Sequence, residues 1–216
     1  MAERKATLQR KTNETEIEVS INLDCQPGSA SAQVIDISTG IGFLDHMYHA
    51  LAKHSGMSLT LKAKGDLWID DHHTADKLYS LSRFPRGAAH RGTARHGRRS
   101  TDSLVVYTGH SDSAWYGVQA GPGRSQGDPE IRDRLRSARR DLGIKREKIG
   151  DLSTEMFPHI FYSFAIASGC TLHVDVLRGE NDHHRAESAF KALALAIRQA
   201  IERTGGNDVP STKGVL

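Results

Sequence analysis

Apolar residues alternate with polar ones along Glu16–Leu23 as Ile17, Val19, Ile21 and Leu23, and again as Ile35 and Ile37, after a connection that contains Pro27-Gly28. A period of two belongs to a strand with one face in a core, so this spacing predicts a β-hairpin. From Ile41 the period lengthens. Phe43, Leu44, Met47, Ala50 and Leu51 recur at helical spacing, which predicts a helix over 43–54 with Gly56 as its left-handed terminator. Met57, Leu59, Leu61 and Ala63 then alternate with Ser58, Thr60, Lys62 and Lys64, a strand with one wet face that closes at Gly65-Asp66.

The C-terminal part repeats this order. Phe157 to Ser168 reads as a helix ending before Gly169, and Leu172, Val174 and Val176 alternate as a strand. Gly179 turns, and Asn181-Asp182-His183-His184 opens a helix that runs to about Glu202. Setting His46 on His159 brings Ser55-Gly56 onto Ser168-Gly169, and the doublets His72-His73 and His183-His184 follow at comparable intervals. The chain therefore reads as a duplication of helix, strand, turn and paired-histidine helix start, an α+β arrangement with halves 1–76 and 141–216.

Residues 77–140 break the pattern. They hold 13 Lys and Arg against 5 Asp and Glu, with 8 Gly and 8 Ser, and offer only Leu104–Thr108 as a short strand. The expectation for this stretch is disorder, with the second half left incomplete. Three origins fit it: an altered reading frame or unspliced segment, which accounts for its abrupt edges and lost periodicity together; a disordered insertion; or a basic arm for nucleic acid. Aromatic residues for stacking on bases are sparse, and Tyr107, Trp115 and Tyr116 stand apart from the arginine runs.

Composition narrows the class. At 216 residues, 38% hydrophobic and 25% charged, the chain suits one domain or two halves of about 100 residues, and it is neither collagen-like nor disordered throughout. Cys25 and Cys170 are the only thiols, which excludes a disulfide framework and a four-thiolate zinc site. The N-terminus lacks an apolar leader and no run approaches the length of a membrane span, so a cytoplasmic protein without a membrane partner is expected.

Twelve histidines are the strongest chemical signal. Neighbours on a helix point about 100° apart, so the two imidazoles of one doublet cannot easily grip one ion. His183 or His184 can share a face with Glu187, and His72 or His73 with Asp76. His46 and His159 stand on the helices preceding the doublets. Six histidines and two acids make four ligands for each of two ions, and imidazole with carboxylate but no thiolate suits Mn2+, Fe2+, Zn2+ or Ni2+. Asp45, Asp70, Asp71 and Asp182 are placed to orient imidazoles or to cap helices.

At these residues the sequence resembles a family. Ile41-Gly-Phe-Leu-Asp-His-Met47, Ile69-Asp-Asp-His-His-Thr-Ala75, Leu177-Arg-Gly-Glu-Asn-Asp-His-His-Arg-Ala-Glu187, Phe190-Lys-Ala192 and Val209-Pro-Ser-Thr-Lys-Gly214 are similar to imidazoleglycerol-phosphate dehydratase of histidine biosynthesis. The resemblance covers 1–75 and 141–216 and lapses from Asp76, one methylene shorter than the family's Glu, to residue 140. It implies a duplicated α+β fold of the ribosomal protein S5 domain 2-like kind, assembled as a 24-subunit homo-oligomer with two Mn2+ per active site, between subunits. One ion would be held by His46, His73, His183 and Asp76, the other by His72, His159, His184 and Glu187. Glu14 would be the acid/base residue, His54 and Lys191 would touch the small phosphorylated substrate, and Ser211, Thr212 and Lys213 would bind its phosphate. His46, His72, His183 and Glu187 would serve catalysis through the ions. Dehydration to imidazole acetol phosphate removes a carbon-bound proton that no carbonyl acidifies. The substrate's imidazole must then be the electron sink, and metals on its ring nitrogens would stabilise the imidazolate.

Overall fold

The alternation at 15–22 folds as a central strand. A computed structural model describes residues 3–25, 32–77, 101–108, 122–123, 142–168 and 171–202. In it β2 (Thr15–Asn22) buries Thr15, Ile17, Val19 and Ile21 and turns Glu16 and Glu18 to solvent. β1 (Lys5–Lys11) lies antiparallel on one edge of β2, with Lys11 opposite Glu16. β4 (Ser58–Gly65) lies antiparallel on the other, with Thr15 opposite Gly65. β3 (Ile35–Ser38) completes the order β1-β2-β4-β3, running parallel to β4 with Ile35 opposite Leu59.

This corrects the expected hairpin between 16–23 and 35–37. The hairpin partner of β2 is the segment before it, closed at Thr12, whose N–H donates to Thr15 O at 2.8 Å and whose hydroxyl accepts from Thr15 N–H at 3.0 Å. β1 turns Ala6, Leu8 and Arg10 inward, all only half-buried, so its apolar alternation is too weak to read. β3 instead reaches β4 through α1 (Gly42–Ser55), because a parallel pair needs a crossover that a tight turn cannot supply. The helix stops at Gly56, whose φ of 79° is the left-handed region that glycine enters at little cost, as the sequence spacing indicates.

The second half repeats the crossover. β5 (Thr101–Thr108), which contains the expected strand at 104–108, runs parallel to β9 (Thr171–Val176), with Leu104 opposite Leu172. β6 (Pro122–Gly123) pairs with the outer edge of β5. A two-residue ladder of β7 (Lys148–Ile149) and β8 (Leu152–Ser153) leads into α3 (Met156–Ser168). α4 (Asp182–Ala200) follows β9 and is capped by Asn181, whose side chain accepts from His184 N–H at 3.2 Å. The α+β class and repeated order are as the sequence indicates. Among the described residues the second sheet has three strands against four in the first. Within 77–140, β5 and β6 are strands, where the sequence offers only 104–108, and the expectation of disorder for 78–100, 109–121 and 124–140 lies outside the described residues.

The halves share one core. Phe190 of α4, 1% exposed, meets Phe161 at 4.9 Å between ring centroids, Tyr48 at 6.2 Å and Phe157 at 6.4 Å, so one side chain joins α1, α3 and α4. Before α2 (His72–Lys77), the buried carboxylate of Asp71 accepts both the N–H and the hydroxyl of Ser153, tying that helix to β8 across the halves. Among the described residues no helix is long and apolar enough to cross a membrane. Truncating Phe190 removes packing from three helices at once. Phe190→Ala is expected to lower unfolding free energy by about 3–5 kcal/mol in denaturant titration, whereas Leu177→Ala, at a site 63% exposed, stays within about 0.5 kcal/mol.

Candidate metal centres

The shared core brings α1 of the first half against α4 of the second, with functional consequences. Phe43, Leu44, Met47 and Tyr48 are the buried stripe of α1, so His46, lying between them in sequence, emerges at the edge of the contact, exposed. Phe43 packs edge-on against His183 at 5.0 Å and holds that ring beside His46, with the two imidazole centroids 5.5 Å apart. Glu187, one turn further along α4, completes the group. Its Oε1 lies 3.7 Å from His46 Nε2 and its Oε2 lies 3.7 Å from His183 Nε2. Ligand atoms of these three residues all fall within 4.8 Å of one another.

A second group forms by the same exchange of partners. His159 of α3, in the second half, stacks on His72 of α2, in the first, with centroids 5.9 Å apart and planes 28° from parallel. In each case the first imidazole of a doublet meets the helix histidine of the other half. The second imidazoles turn elsewhere: the rings of His183 and His184 stand at 85° and those of His72 and His73 at 77°. His184 is exposed. The resemblance grouped Glu187 with His72, His159 and His184. Within one chain its carboxylate instead reaches His46 and His183, because a side chain four residues on from His183 returns to the same helix face. The side chain of Asp76 lies outside the described residues, as do Ser211, Thr212 and Lys213.

The electrostatics favour neutral imidazole beside ionised carboxylate. Burial lowers the pKa of His183 below that of an ordinary histidine, and the neighbouring His46 and His184 add to this against the opposing pull of Glu187. Burial and the charge of Lys191 lower His54 likewise. For Glu187, burial pushes the carboxyl up. The Lys191 ammonium, bonded to Oε1 at 2.8 Å, together with His46 and His183 outweighs burial and leaves the group below its usual range. Neutral imidazoles with a charged carboxylate are the protonation states a divalent cation requires.

Glu14 lies at the tip of the β1–β2 hairpin, exposed. The next residue, Thr15, pairs with Gly65, and Gly65 is covered by Thr74 of α2, so closely that a Cβ there would come within 2.0 Å of the threonine hydroxyl. This brings the hairpin tip to the same end of the sheet as His72 and His73. The acids expected to orient imidazoles or to cap helices bond to backbone N–H groups. Asp45 accepts from the N–H of Thr39 at 2.7 Å, Asp70 accepts from the N–H of Asp71, and Asp182 accepts from the N–H groups of Lys145 and Arg146. Besides Glu187, an acid that stands beside an imidazole is Asp66, which the sequence pattern marks only as the end of β4. Its Oδ2 lies 3.0 Å from His73 Nδ1. The turn that closes β4 at Gly65-Asp66 is its only local signal in the sequence.

The family profile described as imidazoleglycerol-phosphate dehydratase matches residues 39–81 and 131–197, passing over most of the arginine-rich stretch. The imidazoleglycerol-phosphate dehydratase of Phaffia rhodozyma is 53% identical over 220 residues, covering 99% of this chain and 96% of that one. That of Schizosaccharomyces pombe is 47% identical over 230 residues, covering 99% and 100%. In fold, the chain is similar to the crystal structure of the Pyrococcus furiosus enzyme, with a TM-score of 0.59, 24% identity and coverage of 97% of this chain and 100% of the other. The Staphylococcus aureus enzyme gives 0.55, 21%, 91% and 97%.

The shifts at the His46 centre have a definite sign in stability. An imidazole whose folded pKa is depressed binds protons more readily when unfolded, so stability falls as pH drops below about 6.5, and the Glu187 contribution is lost further into acid. The melting temperature of the metal-free protein is expected to fall between about pH 7.5 and 5, and His183→Gln is expected to flatten that fall. Parallel pH profiles for the two proteins would show that His183 titrates as an ordinary surface histidine.

Proposed function

The chain belongs to the imidazoleglycerol-phosphate dehydratase family, and from that membership we propose that its paired imidazole clusters form the metal-dependent site that dehydrates imidazole glycerol phosphate. The protein is a carbon–oxygen lyase of histidine biosynthesis, acting on a small phosphorylated substrate. Loss of water from the glycerol phosphate diol leaves an enol that becomes the ketone of imidazole acetol phosphate. The observation that carries the metal reading is the convergence of His46 and His183 on the two oxygens of Glu187.

The donor set fits the cofactor. Two imidazoles and a carboxylate with no thiolate suit Mn2+ and leave coordination positions open for substrate and a further ligand. His46, His183 and Glu187 would hold one ion. His72, His159 and Asp76 are the counterparts for the other by the duplication, and His73 and His184 would complete coordination where subunits of a homo-oligomer meet, 24 in this reading. When bound, the two ions supply the Lewis acidity that lets the substrate imidazole accept the electron pair left by the departing proton.

The chain's own groups do the rest. The exposed carboxylate of Glu14, carried to the α2 end of the sheet, takes the carbon-bound proton or delivers one to the leaving hydroxyl. His54 and Lys191 lie along the α1–α4 seam that leads away from the His46 centre and contact the substrate. Ser211, Thr212 and Lys213 hold the phosphate through hydroxyl, N–H and ammonium donors. The reaction is assigned to the cytoplasm, where its reduced thiols would persist.

Purified protein supplied with Mn2+ is expected to form imidazole acetol phosphate, to lose activity on chelation and to regain it when Mn2+ returns. Glu14→Gln is expected to cut kcat by about 10²–10⁴-fold with metal content unchanged, and His183→Ala to lose one of two bound ions by elemental analysis. Turnover that survives exhaustive chelation would overturn the metal assignment.

A further inference from the structure

Asp66 stands outside every motif the sequence analysis singles out, yet it is 3% exposed at the point where β4 ends. A buried carboxylate is costly unless its charge is met, and here its Oδ2 lies 3.0 Å from Nδ1 of His73, a residue 36% exposed at the mouth of α2. The contact spans seven residues and joins the end of a core strand to the first turn of the helix. It therefore sets the direction of one imidazole against a rigid part of the sheet. The loop between them leaves Trp68 82% and Ile69 65% exposed, and its anchor, Asp71 on Ser153, holds the start of the helix rather than the ring of His73.

We propose that Asp66 is a positioning residue for the metal site: it accepts the Nδ1 proton of His73 and so presents Nε2 as the coordinating atom. A neutral imidazole carries its proton on one nitrogen, and an acceptor at Nδ1 fixes which. A carboxylate behind a coordinating imidazole also increases its basicity and removes the rotational freedom that binding would otherwise have to freeze. The duplication sharpens the assignment. The position six residues before His72 is Asp66, whereas the position six before His183 is Leu177, which is 63% exposed and cannot accept a proton. The device belongs to the first doublet and has no equivalent at that position in the second, so the two ions should differ in their dependence on it.

The proposal rests on the two-ion reading above, and its test separates the two. Mn2+ binding to the full-length protein and to Asp66→Asn is measured by titration against a chelating indicator, alongside thermal melting of both metal-free proteins. The wild type is expected to bind two ions, and Asp66→Asn to bind one unchanged and the other about 10–100-fold more weakly. A wild type that binds fewer than two ions defeats the two-ion reading. Two ions bound with equal affinity by wild type and variant, with only the melting temperature lowered, defeats the role given to Asp66. Where the variant does not fold, neutron diffraction from crystals of the metal-free wild type decides: deuterium on Nδ1 of His73 supports the proposal, and deuterium on Nε2 alone overturns it.

Discussion

The packing of Phe190 into the seam between the halves is the constraint from which the site follows. A phenylalanine 1% exposed, touching Tyr48, Phe157 and Phe161, fixes α4 against both α1 and α3. Neither α1 nor α4 carries the three-residue cluster alone: His46 belongs to one and His183 with Glu187 to the other. Any slip of the aromatic cluster by a helical turn, about 5.4 Å, would carry the carboxylate out of reach of one imidazole. The ligand geometry is thus a property of the core, and the ring of Phe43 against His183 transmits it to the surface.

The duplication gives this a second reading. In both halves a helix is followed by a strand, and the next helix opens on two histidines. The partners are exchanged, however: the helix histidine of each half meets the doublet of the other. A half-molecule folded alone would not bring its doublet against the other half's helix histidine, so the imidazole clusters and the joining of the halves are linked. Asp71, with its carboxylate on the backbone and hydroxyl of Ser153, strengthens the same crossing from the first doublet's side.

Much of this was legible in the residues. The stripe on α1, its glycine stop, the alternation of β4 and the histidine doublets at helix starts each express a local period that tertiary packing does not override. Strand pairing was less so. β3 and β2 both alternate, and alternation says which face is buried without saying which neighbour is hydrogen-bonded, so the antiparallel partner at 5–11 was missed behind Ala6, Leu8 and Arg10. The site divides in the same way. Which residues are candidate ligands follows from their type and spacing. Which share an ion depends on how α1 and α3 cross the doublets, and no spacing within one helix encodes that.

Charge explains why the sites are written in this residue code. Around Glu187 the chain gathers two imidazoles and an ammonium on one carboxylate, and Lys191 is the only permanent cation of the group, bonded to Oε1 at 2.8 Å. A divalent ion between His46 and His183 would compete for that oxygen with a greater charge, and the His183 imidazole, whose pKa burial lowers, would not oppose it. Without an ion, one ammonium neutralises the carboxylate that the two imidazoles share. A leucine or methionine at 191 could not do this, and the half-buried carboxylate would keep only the two imidazoles beside it.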